Sequence, residues 1–256
     1  MDLKVCFMKT KELLMSAAAF LSFGNIAFAG DSELCVSEIA QGAYESAFRY
    51  CEKACGQNDG LGCAGLGGLY NYGLGVKQDY QQAKTYYEKA CDLNDGDGWG
   101  CTRLGALYVH GLGVKQDYQQ ANAYLEKACS LNDGDGCAGL GWLYLEGRGV
   151  KQDYKQAKTY YEKACSQDDG LGCAGLGRLY YNGDGVKQDY QQAKTYFEKA
   201  CSLNNGVACG VLGSLYDDGH GVKQNKKISK EYYGKACDLG LQEGCDDYHK
   251  LNEQGY

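Results

Sequence analysis

The sequence predicts an all-α solenoid of αα-hairpins stapled by disulfides, and three observations carry that expectation. A block of about 36 residues recurs along most of the chain, the signature of a repeat array. Apolar residues within each block fall at helical spacing. Cysteines return at the same two places in every copy.

The block "CAGLGGLYNYGLGVKQDYQQAKTYYEKAC" (63–91) recurs as "CTRLGALYVHGLGVKQDYQQANAYLEKAC" (101–129) and "CAGLGWLYLEGRGVKQDYKQAKTYYEKAC" (137–165). It follows again as "CAGLGRLYYNGDGVKQDYQQAKTYFEKAC" (173–201), with a more divergent copy at 209–237. Repeats are expected at about 62–98, 99–134, 135–170, 171–206 and 207–242.

Each element has a local reason. In the first helix of a copy, Cys63, Leu66 and Tyr70 share one face at i, i+3 and i+7. Gly65 and Gly67 cost helix stability, roughly 1 kcal/mol each against alanine, and close helix approach is the expected return. Gly73 and Gly75 stop the helix with residues that tolerate positive φ. Asp79 and Gln82 then form a D-x-x-Q variant of the capping box. Ala83, Tyr86, Tyr87 and Ala90 make the stripe of the second helix. Such a hairpin cannot bury its face alone and must stack on neighbours.

The ends differ from the repeats. Residues 1–29 read as a secretory signal peptide: Lys4, Lys9 and Lys11 precede an apolar run that closes on Ala27-Phe28-Ala29. The run is too short and polar for a membrane span. The mature chain is therefore expected to be secreted or periplasmic, with no span of its own. Residues 30–61 read as an N-terminal capping hairpin, and 243–256 as a polar C-terminal capping helix. A formal charge of −7 with no basic stripe excludes a nucleic-acid partner.

Of 15 cysteines, Cys6 lies in the leader, and an even set remains for an exported chain. Between Cys129 and Cys137, the residues Asn132, Asp133 and Asp135 offer three chemistries: a soft-metal site, a calcium loop, or a disulfide-closed turn. The spacing is not that of zinc ligands, and His110, His220 and His249 do not follow the repeat. A calcium loop needs oxygen ligands throughout its frame, yet Asp135 becomes Leu61, Leu171 and Val207 in other copies while the cysteines persist. The turn is read as a staple, with no metal and no cofactor. Two pairings stay open on spacing alone: across a joint, as Cys55 with Cys63, or within one hairpin, as Cys63 with Cys91. Closing the longer loop would contribute slightly more, about 1 kcal/mol, and entropy does not decide between them.

The motif "LGxLYxxGxGVKQDYxxAxxYxEKAC" resembles the Sel-one-like repeat, a relative of the tetratricopeptide repeat, over almost the whole mature chain. With its added cysteines, the chain is similar to the bacterial secreted cysteine-rich proteins grouped as the Hcp β-lactamase family. The resemblance implies a right-handed, curved superhelix, export, and penicillin binding or hydrolysis. Together with helix-turn-helix geometry, it favours the pairs Cys55–Cys63, Cys91–Cys101, Cys129–Cys137, Cys165–Cys173, Cys201–Cys209 and Cys237–Cys245. Cys35 and Cys51, left over in the N-terminal hairpin, would tie that cap shut.

The residues themselves do not support catalysis. No serine is followed three residues later by lysine, and neither S-D-N nor K-T-G occurs. Neither H-x-H nor H-E-x-x-H is present. A thiol nucleophile would need an unpaired cysteine. The repeated tyrosines read as packing residues, and Lys77, Lys115, Lys151, Lys187 and Lys223 as solvated loop positions. Catalytic residues are unknown, and β-lactam hydrolysis rests on the resemblance alone.

Positions that vary while the frame holds are free for recognition. The slot after L-G is Gly68, Ala106, Trp142, Arg178 and Ser214 in successive copies, and Thr102-Arg103 replaces Ala-Gly. In tetratricopeptide-like solenoids the first helices line the concave groove. There Arg103, His110, Trp142, Arg178 and Tyr181 would mix aromatic anchors with cations, suiting an extended peptide or an acidic ligand. The expectation is a monomeric scaffold that binds a protein or peptide. The alternative is a protein that binds or hydrolyses a β-lactam, with a ligand related to the cell wall.

Overall fold

The computed structural model describes residues 30–93 and 98–256; the signal-peptide reading, residues 1–29, lies outside them. Among the described residues there are thirteen helices and no strand. They are α1 (Asp31–Gln41), α2 (Tyr44–Gly56), α3 (Gly60–Tyr72), α4 (Tyr80–Leu93), α5 (Trp99–His110), α6 (Tyr118–Ser130) and α7 (Gly134–Glu146). α8 (Tyr154–Ser166), α9 (Gly170–Asn182), α10 (Tyr190–Ser202), α11 (Gly206–Asp218), α12 (Lys226–Asp238) and α13 (Gln242–Glu253) complete the series. The described residues divide into two compact units, one ending at Gly136 and the other beginning at Cys137. Among the described residues, no helix is long and apolar enough to cross a membrane.

The glutamine and the aspartate of "GVKQD" each have a task. Gln78 donates from Nε2 to the Asn71 carbonyl at 2.8 Å, capping the end of α3. Gln116 does the same at the end of α5, and Gln152, Gln188 and Gln224 repeat it in the second unit. The next residue opens the second helix. Asp117, Asp153 and Asp189 each accept two backbone N–H groups at the start of α6, α8 and α10, and Asn225 does so for α12. The D-x-x-Q box does not close. The Asp79 N–H already donates to the Tyr70 carbonyl and the Asp117 N–H to that of Tyr108, both at 3.0 Å, so the glutamine has no free donor to answer. The five lysines of this run are exposed.

The glycine of each L-G pair is a seat for the second helix. A Cβ at Gly67 would lie 2.5 Å from the Tyr87 ring, at Gly105 2.9 Å from Leu125, and at Gly177 2.6 Å from Phe197. Only a bare backbone lets these buried side chains reach the helix axis. The second glycine of G-x-G serves contact between copies: at Gly113, with φ +66°, a Cβ would meet Tyr80 at 2.5 Å. The hairpin of each of the five copies is also held by a stacked tyrosine pair, such as Tyr70–Tyr86 at 5.6 Å in the first unit and Tyr180–Tyr196 at 5.6 Å in the second.

Disulfides close the joints between hairpins. Cys55–Cys63 and Cys91–Cys101 have Cα separations of 4.4 and 4.6 Å, and Cys165–Cys173, Cys201–Cys209 and Cys237–Cys245 lie at 4.6, 4.9 and 4.5 Å. Cys129 and Cys137 are disulfide-bonded as well. Pairing of Cys63 with Cys91 within a hairpin does not occur. Cys35–Cys51 ties α1 to α2, and its sulfurs occupy the space beside Gly65, where a Cβ would lie 2.6 Å from Cys35 Sγ. The lysine of "EKAC" reaches back over the preceding joint: Lys89 Nζ donates to the Cys55 carbonyl at 2.7 Å, and Lys199 Nζ to that of Cys165 at 2.9 Å. Each places a cation at the C-terminal end of a helix.

The seat can be tested directly. Gly177→Ala should cost about 1–3 kcal/mol, because Phe197 has to leave its pocket against the helix axis. The expected readout is a lower urea midpoint with the disulfides intact. An unchanged midpoint would show that the ring has room to give.

Candidate functional site

The frame leaves variable positions on the first helix of each copy, among them the slot after L-G and the pair before G-x-G. In the second unit these slots form connections of their own. Arg178 on α9 reaches Glu146 at the end of α7, with Nη2 2.9 Å from Oε1 and the two side chains 31% and 32% exposed. Solvent screens a pair of that exposure, so its role is to fix direction more than to add stability. Ser214 donates to Asp218 at 3.2 Å, and Lys226 to Asp217 at 2.6 Å. Tyr181 stands edge-on to Tyr190 at 5.3 Å, and Tyr190 stacks on His220 at 5.8 Å. Trp142 is partly buried in its slot.

In the first unit, α5 departs from the repeat. Thr102 and Arg103 stand where the first copy has Ala64 and Gly65, and Trp99 precedes them at the helix start. Thr102 is wholly buried and Arg103 is 4% exposed. Arg103 Nη2 lies 3.5 Å from Asp135, and its guanidinium carbon sits 5.3 Å from the centre of the Trp99 ring. Burial pulls the Arg103 pKa down, but Asp135, Tyr72 and Tyr87 raise it by more, so the group stays charged. Burial drives the Tyr87 phenol far above its ordinary range.

Asp133 caps the start of α7. It accepts from the Thr102 hydroxyl at 2.7 Å and from the Gly136 N–H at 2.5 Å. Burial first, then the charge of Asp135, pushes its carboxyl up to about 6, against the pull of its two hydrogen bonds and Arg103.

The five residues singled out in the sequence divide between the units. Arg103 lies in the core of the first, where His110 is half-buried at the end of α5. Trp142, Arg178 and Tyr181 lie in the second, and Arg178 arrives already paired with Glu146. Glu146, Tyr190 and His220 were not singled out. His220 stands at the centre of its G-x-G, where other copies carry Leu74, Leu112, Arg148 and Asp184, so comparing copies at that position could have found it. All cysteines of the described residues are in disulfides, and among those residues no cluster of His, Cys, Asp and Glu could hold a metal ion. The side chains that vary include aromatic faces, a serine and an ion pair of fixed direction.

The Asp133 carboxyl gives a pH signature. The folded chain keeps a proton there that the unfolded chain releases between about pH 4 and 6, so this group's contribution to stability falls as pH rises through that window. Above it the penalty is on the order of 2–3 kcal/mol. Asp133→Asn keeps a cap, as Asn205 caps α11, and removes the titration. Urea unfolding across pH should show the variant gaining on the natural chain between about pH 4 and 6 and then holding its lead. A lead that shrinks over that range would contradict the assignment.

With this geometry in hand, comparison with known proteins is specific. The Sel1 repeat family model matches residues 42–59, 60–95, 100–133, 134–169, 170–205 and 207–241. A Sel1 repeat protein from Oxalobacter formigenes is similar at a TM-score of 0.73 and 27% identity, over 87% of this chain and 98% of that one. The c5321 protective antigen of uropathogenic Escherichia coli, which displays an SLR fold, gives 0.63 at 21% identity, over 95% of this chain and 56% of that one. Helicobacter pylori cysteine rich protein B shares 43% identity over 54% of this chain and 97% of that one, with a TM-score of 0.42. No match is found among curated proteins. Six matches that together span most of residues 42–241 place this chain in the Sel1 repeat family.

Proposed function

We propose that this chain is a secreted or periplasmic scaffold that binds a protein or peptide through faces lined by its first helices. The observation that carries the reading is the division of labour within each copy. Cysteines, seat glycines, glutamine caps and tyrosine stacks repeat, while the slot residues Gly68, Ala106, Trp142, Arg178 and Ser214 all differ. Packing needs the first set and has no use for diversity in the second. Sel1 repeats typically mediate protein–protein interaction, which supports the reading. Disulfides at this density belong to an oxidising compartment, which supports export.

The charge pattern narrows the ligand. Arg103 is buried against Asp135 and Arg178 is paired with Glu146, so neither arginine offers a free cation to a polyanion. A peptide read by aromatic and hydrogen-bonding contacts fits better than an acidic polymer.

The test starts with a partner captured by crosslinking from the secreting cell or its surroundings. Its affinity is then measured by calorimetry for the natural chain and for a chain carrying Trp142→Ala and Arg178→Ala. Loss of an aromatic anchor at an interface centre should weaken binding at least about tenfold, with the thermal midpoint nearly unchanged. Unchanged affinity would move the interface elsewhere. Nitrocefin turnover by the purified oxidised protein would overturn the scaffold reading in favour of a hydrolase.

A further inference from the structure

The disulfides and the loops of this array run out of step. Cys55–Cys63, Cys91–Cys101, Cys165–Cys173, Cys201–Cys209 and Cys237–Cys245 each join the last helix of one hairpin to the first helix of the next. None of these bonds spans a "GVKQD" loop, which connects the two helices within a hairpin. The joints they close are tied twice, by backbone and by disulfide. Through the "GVKQD" loops the backbone is the only covalent tie that these bonds leave.

The same loops set a cation beside accessible backbone. Lys77, Lys115, Lys151, Lys187 and Lys223 are exposed, and every other lysine of the described residues lies within a helix. The lysine ion pairs of the described residues are made by those helical lysines, such as Lys158 with Glu162 and Lys194 with Glu198. Two residues after the loop lysine the chain is already extended, with φ −149° at Asp117 and Asp153 and −150° at Asp189. An endopeptidase takes exposed loop chain as an extended strand and is denied a helix. Among the described residues the one arginine outside a helix, Arg148, stands between Gly147 and Gly149, which turn the chain at φ +64° and +69°.

We propose that the Lys–Gln bond of each "GVKQD" loop is a cleavage site for an endopeptidase that seats lysine in an acidic pocket. The amide C–N bond breaks as water gives a hydroxyl to the lysine carbonyl carbon and a hydrogen to the glutamine nitrogen. Because the disulfides are out of step with the cuts, the products are covalently separate. Each is a second helix stapled to the first helix of the following copy, as in residues 78–115, 152–187 and 188–223. Two contacts hold each loop closed. In the fourth copy Gln188 Nε2 donates to the Tyr181 carbonyl at 2.9 Å, and the Asp189 N–H donates to the Tyr180 carbonyl at 2.9 Å. Cleavage therefore passes through local opening of the loop. It does not involve the slot residues, so it is independent of the peptide-binding reading.

The full oxidised chain is treated briefly with a lysine-specific endopeptidase, quenched, and separated in denaturant without reductant, with the fragments identified by mass. First cuts at the five loop lysines are expected, and 152–187 should part from 188–223 before any thiol is added. Lys187→Ala, at an exposed position, should leave 152–223 as one fragment while the other cuts continue. Gln188→Ala removes the cap and should speed the cut after Lys187 about fivefold, measured relative to the same substitution in a free peptide of the loop. First cuts within helices, fragments that stay joined until reductant is added, or an unchanged relative rate in Gln188→Ala would each overturn the proposal.

Discussion

Everything in this fold depends on how closely one hairpin can begin to the end of the last. At the joints, a Cβ on Gly62 would lie 2.4 Å from the Cβ of Ala54, and on Gly172 2.4 Å from that of Ala164. Two helices meet there almost backbone to backbone, and the neighbouring disulfide holds them against drift. Closing a loop of about nine residues contributes roughly 2–3 kcal/mol in the chain-entropy model. The lysine that reaches back over the joint adds a charged donor to a helix-end carbonyl that also accepts from the turn. With the joint set, the ring of the second helix falls onto its glycine seat, and the loop of the next copy falls onto the helix before it.

Against that regular frame, the start of α5 is where polarity enters the core. Thr102, Arg103 and Asp135 stand where other copies have alanine, glycine, leucine or valine, beside Asp133, whose counterparts Asp59, Asp169 and Asn205 are also caps. A buried arginine with one long carboxylate contact, and a buried carboxyl pushed up to about 6, are expensive ways to fill space. Other copies fill the corresponding space without a buried charge, as at Gly65, where the Cys35 and Cys51 sulfurs and Ile39 pack against the helix. The second unit keeps its charges at the surface, in pairs such as Arg178–Glu146, where they cost little and point side chains in fixed directions.

The repeat period, the two helices of each copy and the local disulfides were legible because they follow from spacing, which a sequence displays directly. The seat at Gly67 was legible only as a cost, since a glycine in a helix announces that something approaches without naming Tyr87. The role of Gln78 was hidden because its side chain caps a helix that ends before it, seven residues back. Arg103 was read as a groove cation because arginine is rarely buried. Nothing in the spacing of one copy reveals that Asp135 of the next waits for it. Contacts between copies, even nearly identical ones, are long-range in sequence, and periodicity does not encode them.

Near-identity among copies carries a hazard of its own. A helix from one copy can dock on the wrong neighbour almost as well as on the right one, so an array can assemble out of step or exchange hairpins between chains. The cysteine spacing answers this with distance along the chain. Joining Cys55 to Cys63 closes a far shorter loop than joining Cys63 to Cys91, an advantage of about 1 kcal/mol in closure entropy. The bond that an unfolded chain reaches most readily is thus the one that records which hairpin follows which. A covalent mark at each joint lets the copies remain alike without losing their order.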